Sequence, residues 1–116
     1  MDADERLAEI EEKFGTAAER IVPAELDGSL LKVILYLKDG SNLRVTEQWE
    51  GSRLMRYSYY WLTSGNELKI GWGNAPHHRQ LETFPHHKHV QNQNSLQPSA
   101  ETSLEQVMKV ILDKIG

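Results

Sequence analysis

Leu30-Leu31-Lys32-Val33-Ile34-Leu35-Tyr36-Leu37-Lys38-Asp39-Gly40-Ser41-Asn42-Leu43-Arg44-Val45-Thr46-Glu47-Gln48-Trp49 is the stretch that decides the fold. Leu30 to Leu37 is aliphatic and β-branched, which suits a strand at the centre of a sheet. Asp39-Gly40 tolerates the positive φ angles of a tight hairpin turn. Beyond the turn the pattern alternates, with Leu43, Val45, Glu47 and Trp49 on one face and Arg44, Thr46 and Gln48 on the other.

The same pattern continues toward the C-terminus. Gly51-Ser52 turns the chain into Arg53 to Leu62, where Met55, Tyr57, Tyr59 and Trp61 alternate with Arg56, Ser58 and Tyr60. Ser64-Gly65-Asn66 turns it again, and Leu68, Ile70 and Trp72 alternate with Lys69, Gly71 and Gly73. A fifth, short strand is expected around His87 to Gln91. Gln91 to Ser99 is polar and turn-rich and reads as a loop. Thr102-Ser103-Leu104-Glu105 reads as a capping box opening a helix over 102–116, with Leu104, Val107, Met108, Ile111, Leu112 and Ile115 as its apolar stripe.

Toward the N-terminus, Leu7, Ile10, Phe14, Ala17 or Ala18, and Ile21 recur at spacings of three and four. That predicts an acidic helix within residues 1–24, with Gly15 a point of interruption and Pro23 ending it. Residues 1–116 are then one α+β domain. A four- to five-stranded antiparallel β-meander over 29–91, with its His-rich connection, packs against an N-terminal and a C-terminal helix.

The chain has no cysteine, which excludes disulfides and thiolate metal sites and points to a reducing, cytoplasmic location. An acidic start with no apolar run after it is not a signal peptide, and no stretch has the ~18 apolar residues of a membrane helix. The net charge of −4 is unevenly spread. Residues 1–28 carry nine acids and three bases, whereas residues 29–91 carry five acids and eight bases. A mildly basic sheet suits RNA or another phosphate ligand.

All five histidines lie between His77 and His89, within Asn74-Ala75-Pro76-His77-His78 and Phe84-Pro85-His86-His87-Lys88-His89. Imidazole titrates near neutrality and is the commonest metal ligand. RNA cleavage by 2′-hydroxyl attack needs a base, an acid and a cation. His87 and His89, with His77, His78 and His86, are candidates for the first two roles. Lys88, Arg56, Arg44 and Arg79 are candidate phosphate contacts, and Asn74 is a further substrate-binding group. No cofactor is required by this chemistry. A divalent metal is the alternative: His87 and His89, two apart on a strand, share a side and with His78, His77 or His86 make a three-histidine site. The plainest reading is that the imidazoles bond backbone carbonyls and hold the Pro76 to Pro85 loop. A further alternative is a non-enzymatic module that grips RNA or a protein on the open aromatic and basic sheet face.

Asp39-Gly40-Ser41, Leu43-x-Val45-x-Glu47, the Tyr-rich third strand, Asn74-Ala75-Pro76-His77-His78 and Pro85-His86-His87-Lys88-His89-Val90 together resemble the TumE-like family over about residues 27 to 115. These are small toxins of prokaryotic toxin–antitoxin pairs. The resemblance implies a cytoplasmic protein neutralised by a cognate antitoxin with a helix-turn-helix, and by analogy with other small toxins a ribonuclease. The family's motif carries over onto His77, His78, His86, His87 and His89. One departure stands out: the family pattern has Arg-x-Asp just ahead of Asn-Ala-Pro, and here those positions are Gly71 and Gly73. Activity then rests on Arg56 or Glu47 in their place, or is lost.

Overall fold

The computed structural model describes Met1–Gly116. A helix α1 (Ala3–Phe14) leads into seven strands, β1 (Ala18–Asp27), β2 (Leu30–Leu37), β3 (Asn42–Glu50), β4 (Arg53–Leu62), β5 (Leu68–Gly73), β6 (His87–Val90) and β7 (Leu96–Pro98), followed by helix α2 (Leu104–Ile115). All strands pair antiparallel with their sequence neighbours, in the order β1 to β7, so the sheet is an unbroken meander.

The expected α+β meander is present, but with seven strands rather than four or five. One extra strand comes from the segment expected to extend the first helix. That helix ends at Phe14, where the Gly15 backbone closes so tightly on the Glu11 carbonyl that any side chain must displace it. Ile21 and Val22 then pair with Leu35 and Ile34 as part of an edge strand. Pro23, expected to stop a helix, is tolerated there because an edge strand has one side free of ladder bonds, and the register shifts just after it. The other extra strand is Leu96–Pro98, inside the segment expected to be a loop; it pairs Leu96 with His89 and Pro98 with His87. Its polar composition hides it, and Pro98 again sits at an edge.

Register lines up the apolar face. Val33, Val45, Tyr59 and Trp72 form one cross-strand row, and Leu35, Leu43, Trp61 and Ile70 form the next. Ile10 and Phe14 of α1 and Leu104, Val107, Met108 and Ile111 of α2 complete the core. Each fully buried aliphatic side chain contributes about 1.5–3 kcal/mol. Both helices therefore cover one face, and the other is left to solvent. The cap of α2 lies one residue beyond the expected position: Ser103 accepts from the Gln106 amide, and the Gln106 side chain accepts from the Thr102 amide at 2.7 Å. Glu105 is thereby released for a partner elsewhere. No helix is long and apolar enough to cross a membrane.

Candidate functional site

Strand alternation sorts the histidine string. His87 stands opposite Gly73 and His89 opposite Gly71, so both imidazoles rise from the open face. Lys88 stands opposite Trp72 and points to the helix side. Its Nζ lies 3.5 Å from Glu101 Oε1, which also accepts from Trp72 Nε1 at 3.0 Å. The expected phosphate contact at Lys88 is thus on the face away from His87 and His89.

His86 leaves the cluster in the same way. Its Nδ1 is hydrogen-bonded to the Tyr57 hydroxyl at 2.8 Å, and its ring stacks on that tyrosine, part of the buried core. The loop-pinning alternative was expected to work through backbone carbonyls; His86 uses the Tyr57 hydroxyl instead, and the imidazole that bonds a carbonyl is that of His87, on Pro85. His77 is exposed and meets only the edge of His78, 6.4 Å between ring centroids.

Three imidazoles converge. His78 comes in from the connection between β5 and β6, and its ring centroid is 5.1 Å from His87 and 6.0 Å from His89; His87 and His89 are 5.3 Å apart. The rings meet nearly edge to face, and one nitrogen of each lies within 4.8 Å of the other two. His87 Nδ1 donates to the Pro85 carbonyl at 3.1 Å, which fixes the tautomer and leaves Nε2 with its lone pair. His89 Nδ1 is buried with no hydrogen-bond partner. Burial pushes the His87 imidazole below its usual pKa; the Pro85 carbonyl pulls the other way, and His89, His78 and His77 add to the lowering. At neutral pH His87 therefore acts as an acceptor rather than as a cation for phosphate.

The surrounding face is set by the two glycines. A Cβ at Gly71 would lie 2.7 Å from Tyr60 Cδ1, so the absence of a side chain lets the Tyr60 ring lie across β5 toward β6. A Cβ at Gly73 would meet His87 Nε2 at 3.5 Å, so that position borders the acceptor nitrogen directly. Arg44, Tyr60, Gly71 and His89 form one cross-strand row on the open face. Arg56 stands exposed on the same face, beside Gln48. Arg79 is exposed next to His78. Asn74 is spent on structure: Oδ1 accepts from the Tyr57 amide at 2.8 Å, and Nδ2 donates to the Met55 carbonyl at 3.1 Å, extending the ladder past the end of β5. Tyr60 was missed as a site residue because only the cross-strand register puts it beside a glycine.

Sequence reasoning also missed a buried charge network on the helix side. Arg6 is 2% exposed and places all its N–H groups: Nε and Nη2 on Glu47 at 2.7 and 3.1 Å, Nη1 and Nη2 on Glu105 at 2.9 and 3.2 Å, and Nη1 on Glu9 as well. Glu47, fully buried, also accepts from the Tyr59 hydroxyl at 2.6 Å and from Trp49 Nε1 at 3.0 Å. Glu47, so enclosed, therefore does not stand in for the acidic residue that the resemblance led one to expect at Gly73. Burial pushes the Tyr59 hydroxyl upward, reinforced by the Glu47 charge, so it remains a donor.

Four surface depressions exist, and none is lined by a histidine. The largest, about 540 Å³, lies at the Lys69 end of β5 against Lys114 and Ile115 of α2. The imidazole cluster lies in none of them: His87 is buried, and His78 and His89 are half-buried on the uncovered face.

Fold and site thus define a class: a small α+β protein bearing an imidazole triad on the uncovered face of an antiparallel sheet. The chain matches the family model described as Toxin TumE over residues 5–116, and it belongs to that family. The match takes in α1 apart from its first two residues, beyond the stretch that carried the resemblance. No curated protein and no solved structure matches the chain.

Proposed function

We propose that this protein is the toxin of a toxin–antitoxin pair and that it acts on RNA across the open face of its sheet, at the triad of His78, His87 and His89. The observation carrying this reading is the convergence of three imidazole nitrogens within 4.8 Å on a face that no helix covers. No helix stands over this face, so a polymer can lie along it beside the half-buried His78 and His89. Cleavage by 2′-hydroxyl attack asks for a proton acceptor, a proton donor and positive charge beside the phosphate. His87 Nε2 is the acceptor, His78 or His89 completes the acid–base set, and Arg44 and Arg56 supply charge on the same face. Tyr60, beside Gly71, offers a ring on which a base stacks. The antitoxin is a protein partner, a small helix-turn-helix protein encoded nearby.

Gly71 and Gly73 favour a second reading, in which RNA is bound but not cut. The test is a degradation time course on RNA with tag-free protein, beside His87→Ala and His89→Ala. Loss of cleavage by about 100-fold or more in both variants is the expected result. Binding without cleavage by the unaltered protein moves the assignment to the second reading. Neither binding nor cleavage removes RNA as the target.

A further inference from the structure

The triad has the makings of a metal centre as well as of an RNA site. We propose that His78, His87 and His89 bind one divalent first-row transition cation, with Zn²⁺ as the probe. The inference shares its three histidines with the functional reading above and parts from it at one point: a bound cation takes the His87 Nε2 lone pair, so metal uptake and proton acceptance by His87 exclude one another.

Several independent features lead there. The donor set is three imidazoles with no carboxylate among them, which suits Zn²⁺, Cu²⁺ or Ni²⁺ and not the oxygen-seeking Mg²⁺ or Ca²⁺. The donor nitrogens lie within 4.8 Å of one another. Two ligands of one Zn²⁺, each at ~2.1 Å, stand roughly 3.4 Å apart, so side-chain rotation of about an ångström closes the set. His87 is already oriented as a metal-ligating histidine is: its Nδ1–H rests on a backbone carbonyl and its Nε2 is left as the ligand. His89 Nδ1 is buried and has no protein partner, an arrangement that costs free energy unless a ligand satisfies it. Finally, His78 arrives from a separate segment, so the site forms only in the folded chain. Three protein ligands leave a coordination position for water or a phosphate oxygen.

His77 and His86 flank the triad in sequence and lie outside it in space, which makes them internal controls. Protein stripped with a chelator is titrated calorimetrically with Zn²⁺, with Mg²⁺ in parallel. One Zn²⁺ per chain and no Mg²⁺ uptake are expected. His78→Ala, His87→Ala and His89→Ala should each weaken Zn²⁺ on the order of 100-fold, and His77→Ala and His86→Ala by less than about 10-fold. His78→Ala lies outside the strands and keeps the test decisive if a β6 variant fails to fold. Absence of saturable Zn²⁺ binding overturns the proposal, as does equal loss in the His77 and His86 variants. The RNA time course separates the two readings. Zn²⁺ bound by a protein that neither binds nor cuts RNA upholds the metal centre and removes the RNA target. Cleavage by a protein that takes up no Zn²⁺ does the reverse.

Discussion

The two faces of one sheet carry two polar clusters built on opposite principles. On the helix side, Arg6, Glu47 and Glu105 are closed on themselves: every guanidinium N–H has a carboxylate, and Glu47 takes four donors. On the open side, His87 has one nitrogen bonded and one free, and His89 keeps a buried nitrogen with no partner. A saturated buried network has nothing left to offer a ligand; its role is to lock α1, β3 and α2 in register. An unsaturated one on an uncovered face keeps ring nitrogens that a ligand can use.

The comparison breaks most readily at Arg6. Arg6→Ala leaves Glu47 as an unpaired buried charge and should cost about 3–5 kcal/mol in urea unfolding. A loss under about 1 kcal/mol would mean that the network is not what holds the helices. Glu105 gives a second, pH-resolved effect. Burial alone pushes its carboxyl up, but hydrogen bonds from Arg6 and Lys13 outweigh that and hold it at about 2, against an ordinary 4.5. A depressed carboxylate stabilises the fold above the unfolded value and stops doing so as pH falls through the folded value. The thermal midpoint should therefore decline between about pH 4.5 and 2. Glu105→Gln should flatten that decline, and an unchanged slope would assign it to other carboxylates. The smallest effect is expected on the open face. His89→Ala removes a group that makes no intramolecular hydrogen bond through Nδ1, so chelator-treated protein should lose less than about 1 kcal/mol in the same urea experiment. A loss as large as that of Arg6→Ala would make the histidines a second structural lock.

Much of the sheet was legible in the sequence because its signals are local. Alternation and turn residues placed β2 to β5 within a residue or so, including which of Leu43, Val45, Glu47, Arg44 and Thr46 share a face. The edge strands were not legible. Ile21 satisfies a helical stripe as well as a strand, and the polar residues around Leu96 carry no pattern, so only pairing with β2 and β6 decides their state. At the site, the spacing of His87 and His89 already implied a shared side, and it implied equally that Lys88 faces away. Alternation alone thus sets Lys88 against a phosphate role beside His87 and His89.

The sequence by itself determined an antiparallel meander with a terminal helix, a histidine-rich connection before the last helix, and the resemblance to a toxin family. Those follow from period, turn chemistry and motif, which are properties of neighbouring residues. Only the tertiary structure decided that His78 joins His87 and His89 while His77 and His86 do not. It alone brought Arg6 to Glu47 and Glu105, residues 41 and 99 positions away. The physical reason is common to both: side chains from remote segments meet where strand register and the packing of loop or helix against the sheet bring them, and no local pattern records that geometry.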